Sequence, residues 1–561
     1  MAVGTASMSS ATPIPPTSAG PPRRRRLDEG RPRVVIVGAG VAGIATAIAL
    51  KRQLKYDNFV IYEKADSIGG TWRDHTYPGC GSDIPGHWYS LSSDLNPNWE
   101  RRYATQPELR AYWEGLWNKY DLPLHTYLGT SVTFSEWDEN TSRWIISVEE
   151  ASTGKKEVIE AEVVYYALGA FTAPKYPSDV LGLGQFTGEM FHSSQWKHDV
   201  ILEGKRIGVI GNGCSAAQFV PLISKDPSVQ VVNFVRTPQW YVPKGDFAFP
   251  GWVKWAFAHV PFVLRWYRNV VMLRADTSYL VFDKGNKTLV DYTRRRLEGY
   301  IRQMVPKEYL SKLIPSYPPG CRRIIVDPEY LSCLHRPNVK LEWDGVAELV
   351  ENGVKTKTGA ILPFDVLIWA TGYSIEPIGL NVKGREGKLI SEYFESKQGP
   401  AAYVGACYPG FPNMFTLLGP NSAGGHSSAL FAEEVQINHS LQLIKPILEG
   451  KLKSFDVTHK ATDEYNEWVQ KRLSTSVWTD CNSYYFHYLP GQNKVKSKNT
   501  ATFPGPVTLF WWMNRQVRWD RFQVTGAEGW KDEQRNSGVI KWWSAGLLLG
   551  LAIWIGYIKG I

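Results

Sequence analysis

Residues 34–43 read Val34-Val35-Ile36-Val37-Gly38-Ala39-Gly40-Val41-Ala42-Gly43. Four consecutive apolar residues suit a strand buried on both faces, as in a parallel sheet. The glycines after it have separate tasks. Gly38 permits a tight turn, Gly40 lets backbone approach a pyrophosphate, and Gly43 lets the following helix pack on the strand. A helix-forming run continues to Leu50, and its N-terminus offers free N–H groups to phosphate oxygens. A second apolar run, 58–62, delivers Glu63. A carboxylate there accepts hydrogen bonds from a ribose 2′-hydroxyl and repels a 2′-phosphate. Strand, turn, helix and acid together predict a unit for FAD or NAD, not NADP.

The pattern returns downstream. The apolar run 207–210 leads into Gly211-Asn212-Gly213-Cys214-Ser215-Ala216, with Ala in the third glycine position, a replacement the motif tolerates. The strand expected over 230–235 ends at Arg236-Thr237, and 25 residues separate Gly211 from Arg236, as they do Gly38 from Glu63. One structural slot therefore holds an acid in the first unit and a guanidinium in the second. An Arg fork pairs bidentately with phosphate. The first unit is expected to hold FAD and the second NADPH, the latter through Gly211, Gly213, Ser215, Ala216, Arg236 and Thr237. The implied fold is α/β, with two Rossmann-like dinucleotide-binding domains.

Between these units, residues 186–196 read Phe-Thr-Gly-Glu-Met-Phe-His-Ser-Ser-Gln-Trp, or F-x-G-x-x-x-H-x-x-x-W. Residues 69–83 read Gly-Gly-Thr-Trp-Arg-Asp-His-Thr-Tyr-Pro-Gly-Cys-Gly-Ser-Asp. Both stretches resemble fingerprints of the Baeyer–Villiger monooxygenases, flavoenzymes that insert oxygen beside a ketone. The resemblance covers roughly residues 33–525. It departs at Lys197, where those enzymes usually carry Pro or Asp, and at Leu168, where an Ala-Thr-Gly strand end is usual. Its second such element, Ala370-Thr371-Gly372, is intact.

The resemblance implies roles. Gly70, Thr71, Trp72, Arg73 and Asp74 would lie along the flavin, Asp83 and Ile84 would reach its ring side, and Tyr89 would close over it. His192 and Trp196 would belong to the catalytic set. The segment Pro318-Pro319-Gly320-Cys321-Arg322-Arg323 is similar to the family's Gly-Cys-Lys-Arg stretch. Arg323 is then the active-site arginine, and Arg322 replaces the Lys. The chemistry has use for it: a fixed guanidinium stabilises the flavin-peroxide anion and the oxyanion formed when it adds to the ketone. Asp83 is the carboxylate expected to orient that guanidinium. His426, in a late glycine-rich loop, is a further candidate for substrate contact.

The implied activity consumes NADPH and O2 and turns a small lipophilic ketone into an ester or lactone. Oxygenation of nitrogen or sulfur is the alternative closest in chemistry, since the related N- and S-oxygenases resemble the same pattern. A disulfide reductase would need a redox cysteine pair near the flavin, where Cys80 stands alone. A catalytically silent, membrane-anchored nucleotide-binding protein is the alternative from another class.

Composition sets the frame. The chain has 561 residues, 43% hydrophobic and 21% charged, with net charge +9, which suits two to three globular domains. Four of the positive charges sit at Arg23, Arg24, Arg25 and Arg26. No zinc-finger spacing or basic helix points to nucleic acid. Six scattered cysteines without a C-x-x-C pair suit reduced thiols. His75 and His87 read as loop or surface histidines, not as metal ligands.

The expected map is a disordered tail (1–31), the first part of the FAD domain (32–185), and a linker bearing the fingerprint (186–204). The NADP domain (205–370) follows, with a helical insertion at about 251–315 that roofs the substrate channel. The second part of the FAD domain (371–530) comes last. Within the first part, 107–120 carries helical periodicity and 126–166 reads as hairpins. Residues 542–558 are uncharged and bounded by Lys541 and Lys559, with Trp542, Trp543 and Tyr557 near the ends. They would span about 25 Å as a helix. A C-terminal hydrophobic helix, 539–559, is expected to anchor a cytosolic catalytic body to a membrane.

Overall fold

The computed structural model describes residues 28, 30–374, 379–487, 498–526 and 530. The tail 1–27 and the expected membrane helix at 539–559 lie outside them. Among the described residues no helix is long and apolar enough to cross a membrane.

The first domain opens with β1 (Val34–Val37), α1 (Val41–Gln53), β2 (Phe59–Tyr62), a single turn α2 (Thr71–Asp74), α3 (Gln106–Lys119) and β3 (Thr126–Tyr127). Helix α3 starts at a capping box: Glu108 reaches back to the Thr105 backbone N–H at 2.9 Å, which satisfies donors the helix leaves open. An antiparallel meander follows, β4 (Thr130–Asp138), β5 (Arg143–Glu150) and β6 (Lys156–Ala161), then β7 (Val163–Tyr166).

The second domain holds β8 (Glu189–His192), β9 (Arg206–Ile210), α4 (Cys214–Ile223), β10 (Gln230–Phe234) and β11 (Tyr241–Pro243). The segment after β11 holds four helices, α5 (Gly251–His259), α6 (Val263–Thr277), α7 (Lys287–Met304) and α8 (Leu310–Leu313). The chain leaves for it after β11 and returns at β12 (Ile325–Asp327), which pairs parallel with β11. After α9 (Tyr330–Cys333) come β13 (Val339–Glu342), the meander β14 (Val346–Val350), β15 (Gly353–Thr356) and β16 (Ile361–Pro363), and β17 (Val366–Trp369). The return to the first domain adds β18 (Val382–Lys383), α10 (Ile390–Ser396), β19 (Met414–Thr416), α11 (Ala429–Leu448), α12 (His459–Ser474) and α13 (Val507–Asn514).

Two five-stranded parallel sheets result, ordered β19-β7-β1-β2-β3 and β13-β10-β9-β17-β8. The central strands β1, β2, β7 and β17 are buried throughout, as their apolar runs require. The fingerprint is not confined to a linker. Its residues 189–192 form β8 and pair with β17 at the edge of the second sheet.

The insertion is fastened to the first domain. Arg268 of α6, almost fully buried, pairs with Glu434 of α11 at 3.2 Å, and Glu434 also accepts from Ser92 N and Oγ at 2.8 and 2.7 Å. Asp276, near the end of α6, takes the Val507 N–H at 2.5 Å and the Thr508 hydroxyl at 2.6 Å. It thereby caps the N-terminus of α13, where a carboxylate meets the positive end of the helix dipole.

Candidate active site

The first nucleotide turn is built as its sequence demands. Gly38 has φ +105°, and a Cβ there would lie 2.5 Å from the Ala167 carbonyl oxygen; at Gly43 it would lie 1.9 Å from the Gly38 oxygen. Helix α1 begins at Gly40 with no side-chain cap and no acidic residue in its first turn, so its free amides face the carboxyl end of the sheet. Gly40 and Gly70 face each other so closely that a Cβ on Gly70 would come 3.0 Å from the Gly40 Cα. Glu63, buried at the end of β2, accepts from Ala39 N at 2.7 Å and from Arg73 Nη1 at 3.2 Å. It therefore braces the turn as well as standing where a ribose would be met. Arg73 passes on to Asp74 with bonds of 2.7 and 3.0 Å. Trp72 is buried and edge-on to Tyr89, ring centroids 5.7 Å apart.

The second turn repeats this geometry with the opposite charge. Gly211 has φ +109° and lies against Ala370, and Gly213 caps α4, again without a side-chain cap or acid in the first turn. Space is open beside Gly213. Asn212 ties the turn to the Thr237 carbonyl at 3.0 Å, while Ser215 and the buried Ala216 start the helix. Arg236 follows β10 and is exposed. No carboxylate among the described residues pairs with it, whereas Glu63 in the matching slot is enclosed and bonded.

The two units meet through the 69–83 loop. Tyr77 donates to Gln218 of α4 at 2.8 Å, and Gln218 donates to the Gly81 carbonyl at 3.0 Å. Gly79, at φ +77°, lies so near α4 that a Cβ would meet the Gln218 oxygen at 2.8 Å. The Tyr-Pro-Gly of the motif is thus the surface on which the second fold rests. The loop then delivers Asp83. Arg323, arriving from the insertion's end, donates Nε to Asp83 Oδ2 at 2.6 Å and Nη2 to Oδ1 at 2.7 Å. Both side chains remain about one-quarter exposed, so the pair is reachable from solvent. Ile84 follows, its N–H held by Ser82 Oγ at 3.0 Å. Burial raises the Cys80 thiol to about 12, so it stays protonated, which leaves a thiol-redox centre there without a nucleophile.

His192 and Trp196 occupy different surroundings from that pair. His192 is fully buried at the end of β8, with Nδ1 2.9 Å from Ser194 Oγ and its ring edge-on to Tyr176 and Tyr373. Burial pushes it down to about 4, so it is neutral at physiological pH. Trp196 packs on Phe191 and Phe219. His75 joins the same cluster through Tyr373.

His75 and His87 are not surface histidines. Both are buried, and His87 is surrounded by Phe249, Phe257 and Tyr267 of the insertion. Those ring neighbours come from more than 150 residues downstream, which local sequence reading does not reach. No group of potential metal ligands occurs among the described residues.

One feature next to the site corrects the cysteine reading. Cys321 and Cys481 form a disulfide across 160 residues. It joins the segment carrying Arg323 to the turn after Trp478. Phe282 packs on Gly320 and stacks on Trp478 at 5.0 Å, with His426 against Phe282 and Tyr279. His426 is also 3.7 Å from Asp276. These aromatics form an apolar wall beside the disulfide.

Known proteins resemble this chain over most of its length. Residues 36–105 match the family described as NAD(P)-binding Rossmann-like domain, and residues 92–252 match flavin-binding monooxygenase-like proteins. A Baeyer–Villiger monooxygenase of Pseudomonas aeruginosa is 35% identical over 498 residues, covering 88% of this chain and 91% of that one. An FAD-binding monooxygenase of Botryotinia fuckeliana is 35% identical over 472 residues, 80% and 88% of the two chains. The crystal structure of cyclohexanone monooxygenase from Rhodococcus bound to NADP+ superposes with a TM-score of 0.77 at 25% identity, over 88% of this chain and 99% of that one.

Proposed function

The chain belongs to the Baeyer–Villiger monooxygenases, and from that membership we propose which of its residues carry the reaction. The enzyme is FAD-dependent, consumes NADPH and inserts one oxygen atom of O2 beside a ketone carbonyl. Two uncapped, acid-free helix N-termini, each behind a glycine turn, fit two pyrophosphates. The enclosed Glu63 in one slot and the exposed Arg236 in the other fit FAD in the first and NADPH in the second.

FAD, when bound and reduced by NADPH, would activate O2, one atom of which goes to the ketone and the other to water. The chain's part is to bind, orient and stabilise charge. Gly70, Thr71, Trp72, Arg73 and Asp74 line the path of the flavin, with Tyr89 set against Trp72. The observation that carries the catalytic assignment is the two-point bond from Asp83 to Arg323. It fixes the guanidinium plane while leaving Nη1 as a donor uncommitted to Asp83. A preorganised donor aimed at developing negative charge needs no rearrangement when the charge forms. Arg323 is assigned that task and Asp83 its orientation. His192 and Trp196 are assigned positioning roles, since their contacts are with the frame that joins the two folds. The apolar wall of Phe282, Trp478 and Tyr279 favours a lipophilic ketone.

Residues 542–558 are assigned to a membrane anchor on their apolar run alone. The catalytic reading is tested by incubating the purified protein with NADPH, a panel of ketones and 18O2. An ester or lactone with one labelled oxygen atom is expected. Heteroatom oxides from amines or sulfides, with no ester from any ketone, would overturn it.

A further inference from the structure

The insertion hairpin has a second face. Helix α6 turns Leu264, Arg268 and Asp276 inward. Its outer side carries Phe262, Trp266, Val270 and Leu273, 83, 66, 42 and 52% exposed. Spacings of four, four and three residues place them in one stripe along the helix. Helix α5 adds Trp252 and Trp255, 74 and 60% exposed. Phe262 sits at the hairpin tip with φ +67°, a left-handed conformation that bulky side chains rarely adopt. A surface helix ordinarily shows water its polar side; this one shows water an apolar stripe, of the kind that marks an interaction site.

The charges around the stripe select its occupant. Residues 247–275 contain no Asp or Glu, and the nearby Glu100 is paired with Lys254 of α5 at 2.6 Å; on α6, Arg274 is exposed, as is Arg265, which donates to the Ser92 carbonyl at 2.8 Å. Trp favours the boundary between headgroups and acyl chains, and Arg lays its stem on apolar surface while its head reaches outward. A protein partner matching this face would have to be acidic and apolar at once; the surface of an anionic bilayer is both. Helix α13, whose N-terminus Asp276 holds, exposes Trp511 and Trp512. The chain beyond it carries the apolar run 542–558. We propose that the α5–α6 hairpin is a docking surface for an anionic lipid bilayer. Phe262, Trp255 and Trp266 enter the headgroup layer, and Arg274 meets lipid phosphates. The surface belongs to folded helices and acts independently of residues 542–558 and of the catalytic assignments.

The test is hydroxyl-radical footprinting of the full-length holoprotein. Vesicles of phosphatidylcholine, with and without phosphatidylglycerol, are added, and oxidation of Trp255 and Trp266 is read against exposed Phe171. Oxidation of both tryptophans is expected to fall severalfold on the anionic vesicles, less on the neutral ones, with Phe171 unchanged. No fall on either vesicle overturns the proposal. Protection already present in dilute, vesicle-free protein would assign the face to the chain's own tail, and protection appearing only at high protein concentration would assign it to a second copy; both overturn it. The variant Trp255→Ser/Phe262→Ser/Trp266→Ser, shown to be folded by its flavin absorbance, is expected to lose the vesicle protection of Trp252. Protection of Trp252 that persists in it also overturns the proposal.

Discussion

Asp83 and Arg323, 240 positions apart in the chain, share two hydrogen bonds of 2.6 and 2.7 Å at the meeting point of the two nucleotide folds. Arg323→Ala is expected to leave NADPH-driven flavin reduction largely intact. Ester formation is expected to fall by about 10²–10³, the usual cost of removing such a donor, with hydrogen peroxide released instead. Asp83→Ala should retain the charge but lose its orientation, giving a smaller loss of the same kind. Stopped-flow reduction and product yield separate the steps, and a normal yield in Arg323→Ala would remove the assignment.

Arg236 stands in the slot that Glu63 fills in the first fold. Arg236→Ala is expected to weaken NADPH by about 1.5–3 kcal/mol, the worth of a charge-assisted bond, and to leave NADH nearly unchanged. KM for the two nucleotides is the measurement. Equal losses would mean that Arg236 serves the fold.

Glu433 of α11 is buried with Oε2 unpartnered, and burial, with Glu434 nearby, pushes it up to about 8. An unfolded glutamate ionises near 4.3. Between these pH values the folded state holds a proton that the unfolded state has released, so stability falls as pH rises through the window. Glu433→Gln removes that cost, about 4–5 kcal/mol at the upper end. Thermal melts should show little gain at pH 5 and several degrees at pH 8. An equal gain at both would point to packing instead.

Cys321→Ser/Cys481→Ser removes a link that closes a loop of 160 residues. Links of this length contribute about 2–5 kcal/mol. The double variant should melt several degrees lower and ignore dithiothreitol, which should lower the melting point of the parent to match. A parent protein indifferent to reductant would show that the bond is not formed in solution.

The proposed membrane anchor at residues 542–558 rests on its apolar run and is open to a direct test. Full-length protein is expected to stay with membranes through a carbonate wash, and protein ending at Gly538 to be soluble and still yellow. Loss of flavin in the shortened form would place the segment in the fold.

What the sequence made legible was local. Gly38 to Glu63 and Gly211 to Arg236 each lie within one βαβ unit, where spacing along the chain is spacing in space. The Asp83–Arg323 pairing was reached only through resemblance, because no local pattern joins positions so far apart. The disulfide and the burial of His87 were missed for the same reason. Strand β8 was read as linker because Glu189-Met190-Phe191-His192 has no apolar run, as an edge strand need not.

The bonds from Arg268 to Glu434 and from Asp276 to α13 tie the insertion to the first domain. It is also tied to the second domain, because α7 packs on β11 and α9 and donates from Tyr300 to Asp327 of β12 at 2.9 Å. A swing of one nucleotide sheet relative to the other would have to strain one of these two attachments. The insertion is thus a bridge that would register any change in the spacing of the two sheets.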